Sequence, residues 1–328
     1  MIKRHRLLTI LMVVLVSLVS ACNIGATGHS SGSAPATFTI AYQPGLGVAS
    51  LVVLKYQKTL EKQFPNTRFQ WKILFSGASV REAVIANQAQ LGSLGISPFL
   101  IGWDRGVNWK VLVASSRADI WLVSNNPRIK SLKDFTSNDK IGIVAPDAQQ
   151  ALLLRKAAQQ QLGNAHALDK NIVAITSSDG EQALLSGQIA AHYAGSPFQE
   201  REVAAGGHIV LHSTDAFGPV GTGVLALTQS FYNQYPDFSK KFYQDYVAAS
   251  AFAKKNLDQT AQYLAEDQGG GGTVAQFKTL LAHPDFVIET TPSGLLAYAR
   301  FMQSIGLISK VPGSVKDFEL PPLNGSGN

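Results

Sequence analysis

The chain has 328 residues, 45% of them hydrophobic and 15% charged, so it can bury the core of one large or two medium domains and is not disordered by composition. Its formal charge of +6 falls to +3 without the first 22 residues, because three of the 28 basic residues and none of the 22 acidic residues lie there. The remaining charge is scattered, which indicates a solvated surface and not a nucleic-acid partner. A single cysteine excludes an internal disulfide.

The first 22 residues have the pattern of an export signal. Lys3, Arg4 and Arg6 precede an apolar run at 7–19, which is too short for a comfortable transmembrane helix. The segment Val19-Ser-Ala-Cys22 resembles the bacterial lipobox, in which the cysteine is acylated and becomes the mature N-terminus. We therefore expect a lipoprotein signal peptide at 1–22 and lipidation of Cys22; an ordinary secretory signal is the alternative. The acyl chains would hold the protein on the cell membrane, at the cell surface or in the periplasm.

Strand and helix patterns alternate after a flexible tether that is predicted at 23–36 from its Gly, Ser, Ala and Thr content. Strands are predicted at 38–42, 68–74 and 109–114 and at the start of 90–99, with helices at 49–63 and 80–87. This spacing predicts a mostly parallel sheet with helices on both faces.

The same pattern restarts between residues 119 and 227. Strands are predicted at 120–123, 141–144, 171–175, 189–193, 208–211 and 224–228, and helices at 149–162 and 178–186. The remainder, 231–308, is helical in pattern and is interrupted by four glycines at 269–272. Two α/β units followed by a helical tail indicate an α/β fold of two lobes, with the C-terminal helices packing back on the first lobe.

Three predicted strand-to-helix turns share one local pattern. Residues 90–99 break at Gly95 and then offer Ser97 and Pro98 as the cap and first residue of a helix; 75–79 and 144–148 are similar. Such turns direct unpaired N–H groups and the positive end of a helix dipole outward, which favours polar or anionic ligands. If the three turns face a common cleft, they form a binding site.

These segments together resemble the extracytoplasmic solute-binding proteins of ABC importers, in the branch that binds sulfonates, taurine, nitrate and thiamin-type pyrimidines. The residues that carry the resemblance are Ala41-Tyr-Gln-Pro-Gly45, Phe64-Pro-Asn-Thr67, Gly92-Ser-Leu-Gly-Ile-Ser-Pro98 and Ile129-Lys-Ser-Leu-Lys-Asp-Phe135. The resemblance implies a two-lobed periplasmic-binding-protein fold of type II that closes on its ligand by hinge motion. It places lobe 1 at 37–117 and 225–328 and lobe 2 at 118–224, with hinge crossings near 116–123 and 222–228.

The resemblance also implies the site and the partners. The ligand would be a small anion or heteroaromatic solute, delivered by a monomeric, membrane-tethered protein to an ABC permease, without a cofactor or a bound metal. The cleft would be lined by thirteen residues: Gln43, Pro44, Ser76, Gly77, Gly95, Ser97, Pro98, Asp147, Ala148, Gln149, Tyr193, Ser196 and Thr222.

Two features leave the charge of the ligand open. Sulfonate-binding members often carry a run that ends in Trp-Asp-Pro, whereas this chain has Gly195-Ser196-Pro197, which leaves more space and one negative charge fewer. Asp147 is interpreted as the N-cap of the helix at 149–162, but a cap carboxylate facing the cleft would repel an anion and favour an amine or a pyrimidine edge.

Two other functions share the same sequence pattern. The resemblance also extends to a branch of pyrimidine-synthase-like enzymes with this fold, whose active site is rich in cysteine and histidine. This chain has no cysteine besides Cys22. The chain also has no Gly-x-Ser-x-Gly motif and no metal-ligand spacing among its histidines, so we expect no enzymatic activity. A receptor for a membrane sensor is the other alternative. His192, within a predicted strand, is interpreted as structural.

Overall fold

The computed structural model describes residues 34–269, 271–321, 323 and 325. These residues belong to one compact unit, Gly32–Asn328. The predicted signal peptide, Cys22 and nearly all of the predicted tether lie outside the described residues. Across the described ranges, no helix is both long and apolar enough to cross a membrane.

Eleven strands form two sheets in the described part of the chain. They are β1 (Thr37–Tyr42), β2 (Arg68–Ile73), β3 (Leu91–Gly95), β4 (Trp109–Ala118), β5 (Trp121–Ser124), β6 (Ile141–Ile143), β7 (Ile172–Ala174), β8 (Ala191–Ala194), β9 (His208–His212), β10 (Gly221–Thr228) and β11 (Phe286–Ile288).

The first sheet has the order β11-β4-β10-β3-β1-β2. β1 pairs in parallel with β2 and β3, and β10 pairs antiparallel with β3 and β4. β11 is antiparallel to β4 at the edge. Four of the six strands, β1 to β4, therefore run in the same direction, as the alternating strand and helix patterns predict.

The second sheet has the order β7-β6-β8-β5-β9. β6 pairs in parallel with β7 and β8, and only β5 is reversed, being antiparallel to β8 and β9. Four of these five strands share one direction. Each sheet thus has one reversed strand in its interior, β10 in the first sheet and β5 in the second.

The chain passes between the sheets twice. It leaves the first sheet at Ala118 and enters the second at Trp121, within the first predicted crossing at 116–123. It leaves the second sheet at His212 and returns to the first at Gly221. The second crossing therefore precedes the predicted 222–228, because those residues already pair with β3 and β4. The two-lobed α/β arrangement is confirmed, whereas the exact lobe boundaries stay a prediction.

Thirteen α-helices cover the sheets within the described residues. They are α1 (Ala49–Tyr56), α2 (Thr59–Gln63), α3 (Gly77–Ile85), α4 (Ile96–Asp104), α5 (Gln149–Leu162), α6 (Ser177–Leu185), α7 (Phe198–Ala204), α8 (Ser213–Phe217), α9 (Gln229–Gln234), α10 (Pro236–Lys255), α11 (Leu257–Asp267), α12 (Val274–Leu281) and α13 (Leu295–Ser304). Four short 3₁₀ turns lie at Leu46–Val48, Leu132–Asp134, Asp169–Asn171 and Val315–Asp317.

The C-terminal helices pack on the first sheet through aromatic side chains. The ring of Phe38 on β1 lies 5.2 Å from that of Phe231 on α9, and 4.9 and 5.7 Å from those of Phe238 and Phe242 on α10. All four side chains are buried, so this cluster fastens the helical tail to lobe 1, as predicted.

Helix α13 departs from that description. Its residues Leu295, Tyr298 and Met302 share one hydrophobic cluster with Leu152 of α5 in the second lobe as well as with Phe99 of α4 in the first. The last long helix therefore packs against both lobes, close to where the chain crosses between them.

Candidate functional site

A cavity of about 750 Å³ lies between the two sheets. The first lobe contributes the loop after β1 (43–48), the end of β2 and the turn after it, the β3–α4 turn and parts of β4 and β10. The second lobe contributes the starts of α5, α6 and α7, and Asp119 and Ile120 lie at the crossing. This volume is within the range that encloses small organic ligands in proteins.

Five α-helices begin at the wall of this cavity. The wall includes Gly77 at the start of α3, Gly95 before α4, Ala148 before α5, Thr176 before α6 and Phe198 at the start of α7. The first N–H groups of a helix have no partner within that helix, and its N-terminus carries a partial positive charge. Five such ends around one cavity create a positive potential without a charged side chain, which suits an oxyanion.

The charged side chains of the wall are already paired. Arg201 makes two bonds to Glu181, with Nε 2.7 Å from Oε1 and Nη2 2.6 Å from Oε2. Asp267 lies 2.5 Å from Lys55 Nζ. The third charged residue, Asp119, lies 2.5 Å from His212 Nδ1. Each charged group among the described lining residues therefore already has an ionic or a hydrogen-bonding partner.

Asp119 links the two crossings of the chain. Its carboxylate accepts hydrogen bonds from Trp121 Nε1 at 2.8 Å, from Ser213 Oγ at 3.0 Å and from the backbone N–H of Thr214 at 3.2 Å. Burial raises the pKa of the Asp119 carboxyl, but hydrogen bonds from His212 and these donors outweigh it and lower the pKa below its ordinary value. Asp119 is thus held ionised where β4 passes into β5 and β9 passes into α8.

Gln149, the first residue of α5, joins the two lobes at the back of the cavity. Its Oε1 accepts the N–H of Ile96 at 3.0 Å, at the start of α4. Its Nε2 donates to the carbonyl of Gly221 at 3.3 Å and to the hydroxyl of Tyr298 at 3.1 Å. Because Gln149 is 5% exposed, these three bonds hold α5 against α4, β10 and α13 largely out of reach of water.

Nine of the thirteen residues that the sequence predicts for the site lie in the cavity wall. They are Gln43, Pro44, Gly77, Gly95, Pro98, Ala148, Gln149, Ser196 and Thr222. The remaining four, Ser76, Ser97, Asp147 and Tyr193, lie outside it.

Hydrogen bonds account for the positions of Ser76 and Ser97. Ser76 is the N-cap of α3 and accepts the N–H of Ser79 at 3.0 Å. Ser97 is buried, and its hydroxyl donates to the carbonyl of Asp147 at 3.0 Å, so it bridges the lobes. It is also not the predicted helix cap, because α4 begins at Ile96 with Gly95 as its cap.

Asp147 is neither the predicted N-cap nor part of the cavity wall. Ala148 occupies the N-cap position of α5, and the carboxylate of Asp147 instead lies 2.9 Å from Nη1 of Arg81 on α3. Tyr193 is 1% exposed and belongs to the core on β8. Its hydroxyl finds no hydrogen-bond partner among the described residues, and burial raises its pKa well above the ordinary value.

Several residues of the wall are missing from the sequence-based prediction. The start of α6 contributes Thr176, Ser177 and Ser178. Thr176 is its N-cap and accepts the N–H of Asp179 at 3.2 Å. A threonine followed by an acidic residue three positions later is therefore the sequence signal for this turn. Asp267 to Gly269 and Gly271 belong to the helical tail, where no strand-turn-helix pattern exists. The described residues hold no group of three His, Cys, Asp or Glu side chains that could bind a metal ion.

His192 has the structural role that the sequence indicates. It is 1% exposed on β8, and its Nδ1 lies 2.5 Å from Oε1 of Glu202 on α7. Burial raises the pKa of the Glu202 carboxyl, although the His192 contact opposes the change. The pair lies outside the cavity wall.

Two curated relatives match most of the chain. A protein of Escherichia coli strain K12, named for aliphatic sulfonate binding, is 25% identical over 264 residues, which cover 78% of this chain and 79% of that one. A Bacillus subtilis strain 168 protein of the same name is 23% identical over 265 residues, with coverages of 78% and 77%.

Solved structures share the fold. The periplasmic aliphatic sulphonate binding protein SsuA from Escherichia coli superposes with a TM-score of 0.70 at 20% identity, covering 88% of this chain and 93% of that one. The periplasmic nitrate-binding protein NrtA from Synechocystis PCC 6803 has a TM-score of 0.73 at 11% identity, with coverages of 87% and 85%. These likenesses confirm the predicted periplasmic-binding-protein fold. A model described as the NMT1-like family matches residues 31–266, which is 236 of the 328 residues, and the chain therefore belongs to the NMT1-like family.

Proposed function

We propose that this protein is the solute-binding component of an ABC importer, which captures a small oxyanion, in the first place a sulfonate, between its lobes and delivers it to a membrane permease. The observation that carries the proposal is the cavity at which five helices begin and whose charged side chains are already paired. Backbone N–H groups bind an oxyanion without the desolvation of a mobile cation.

The relatives support the same class of ligand. The curated relatives are named for aliphatic sulfonate binding, and one structural neighbour is named for nitrate binding. Binding proteins, and not enzymes, make up this set. A sulfonate and a nitrate have in common a compact group of oxygens that share a negative charge, which is the chemistry that converging helix N-termini recognise.

A calorimetric titration of the Gly32–Asn328 unit tests the proposal. The panel comprises alkanesulfonates, taurine, nitrate and an aminopyrimidine, and we expect sulfonate binding. Saturating ligand should also raise the thermal midpoint, since a ligand at 100 times its Kd adds about 2.7 kcal/mol of stability. Binding of the aminopyrimidine alone would contradict the oxyanion proposal.

A matched pair of variants tests whether the helix starts bind the anion. Ser178 is the second residue of α6 and lies in the wall, whereas Ser230 is the second residue of α9 and lies outside it. Both helices have a threonine cap. Ser178→Asp should weaken sulfonate binding about tenfold by like-charge repulsion, and Ser230→Asp should leave the affinity unchanged. Equal effects of the two substitutions would remove α6 from the site.

The proposal includes a monomer that is tethered to the membrane by acyl chains on Cys22. It rests on the lipobox-like segment Val19-Ser-Ala-Cys22. Two acyl chains or more hold a protein stably on a bilayer. Cys22→Ser should move the protein from the membrane fraction to the soluble fraction, and continued sedimentation with membranes would contradict the anchor.

A further inference from the structure

The cavity wall contains aromatic residues that the proposed function does not use. Phe75, Phe198 and Phe286 belong to its wall, Phe75 and Phe286 from the first lobe and Phe198 from the second. Among the described residues, neither Phe75 nor Phe286 contacts another aromatic ring. The guanidinium of Arg201 lies over the ring of Phe198, with its Cζ atom 4.7 Å from the centre of that ring. Aromatic side chains in a cavity wall offer stacking surfaces to an apolar occupant.

Phe75 is unusually exposed for its type. Its side chain is 65% exposed, the highest value among the large hydrophobic residues exposed in the described chain. It lies two residues after the end of β2 and two residues before the start of α3, which begins at the cavity. Covering this much apolar surface with an apolar group is favourable, because it removes the ring from water. Since Phe75 lies in the wall, a ligand in the cavity can cover it.

Open space adjoins the start of α7. A methyl group added at Gly195 would meet no atom within 4 Å, although Gly195 lies in the cavity wall. The total volume of about 750 Å³ is far more than a nitrate ion or a methanesulfonate ion fills. A ligand that bound only at the helix starts would leave these aromatic residues and this space in contact with water.

We propose that the occupant is a sulfonate with a bulky, ring-sized apolar tail, and that Phe75 is the residue that selects for the tail. The proposal rests on the proposed function, since the sulfonate head occupies the helix starts. The tail lies against Phe75 on one lobe and extends into the space beside Gly195 on the other. Selectivity for the tail comes from burial of its apolar surface. The sulfonate head makes the same contribution to the binding free energy of small and large sulfonates.

The test is a titration of the Gly32–Asn328 unit with methanesulfonate, butanesulfonate and naphthalenesulfonate. We expect naphthalenesulfonate to bind at least tenfold more tightly than methanesulfonate. Phe75→Ala should weaken naphthalenesulfonate about tenfold, equivalent to about 1.4 kcal/mol, and change methanesulfonate less than twofold. Phe75→Leu, which keeps apolar area without a ring, should recover part of the loss.

Two further variants test whether the loss of affinity depends on the cavity wall. Ile85 is 50% exposed at the other end of α3 and lies outside the wall, so Ile85→Ala should leave every affinity unchanged. Gly195→Trp fills the open space and should remove the preference for naphthalenesulfonate over methanesulfonate. Equal affinities of the three sulfonates, or an equal loss for all of them in Phe75→Ala, would overturn the tail selection alone. Failure of every sulfonate to bind would overturn the proposed function and this inference with it.

Discussion

The bonds of Gln149 make a quantitative prediction about the joint between the lobes. Gln149→Ala removes one acceptor and one donor group and leaves three groups without their partner: the N–H of Ile96, the carbonyl of Gly221 and the hydroxyl of Tyr298. An unsatisfied buried polar group costs about 1–3 kcal/mol. Since the adjoining cavity admits water, the low end of that range applies, and three groups give about 3 kcal/mol in the free energy of unfolding.

Urea unfolding of the Gly32–Asn328 unit, followed by tryptophan fluorescence and circular dichroism, measures this loss. The matched control is Gln150→Ala, which changes the next residue of the same helix. Gln150 also lies in the wall but is more exposed, and we expect a loss of about 0.5 kcal/mol or less. Tyr298→Phe removes a single hydroxyl and should cost about 1 kcal/mol. If Gln149→Ala and Gln150→Ala destabilise equally, the three bonds do not hold the lobes together and the reasoning fails.

Two further predictions concern carboxylates. Because the pKa of Asp119 is lowered in the folded state, its ionised form stabilises the fold at every pH above the unfolded-state pKa of about 3.9. This stabilisation is lost as the pH falls below about 3.9 and through the lower pKa of the folded state. Asp119→Asn should therefore be less stable than the unchanged protein at pH 7 in urea unfolding, and the difference should shrink below about pH 4; a constant difference would contradict the assignment. Asp147→Asn should cost about 1–2 kcal/mol, because Arg81, with a side chain 6% exposed, loses the closer of its two carboxylate partners and keeps only Glu82, at 3.4 Å. Sulfonate affinity should stay within twofold in calorimetry. A large change in affinity would instead place Asp147 in the site.

Local signals in the sequence were sufficient to locate most of the helix starts at the cavity wall. The helix predicted at 149–162 has those bounds in the structure, and Ser76 before α3 acts as a cap through its own local hydrogen bond. Caps and turns depend on residues three or four positions apart, so a single sequence carries them. The same logic could have added Thr176 to the site, since Asp179 follows it at that spacing.

Contacts between distant parts of the chain account for the positions of Asp147 and Ser97 outside the cavity wall. Asp147 pairs with Arg81, which is 66 positions away, and Ser97 donates to a carbonyl 50 positions away. Neither distance leaves a pattern in the sequence, and the resemblance that implies both residues for the cleft carries no information about these two bonds. The resemblance also implies Tyr193 for the cleft, and alternation along a strand does not tell which face is the core.

The position of β10 has a consequence for the order of assembly. Residues 221–228 fill the gap between β3 and β4, strands that the ribosome completes more than a hundred residues earlier. The second sheet draws all of its strands from one continuous stretch, 121–212, and can pair them as soon as that stretch is free. The first sheet has to wait, with two unpaired edges, until the second has been synthesised. The lobe that begins the chain is therefore the last to be finished.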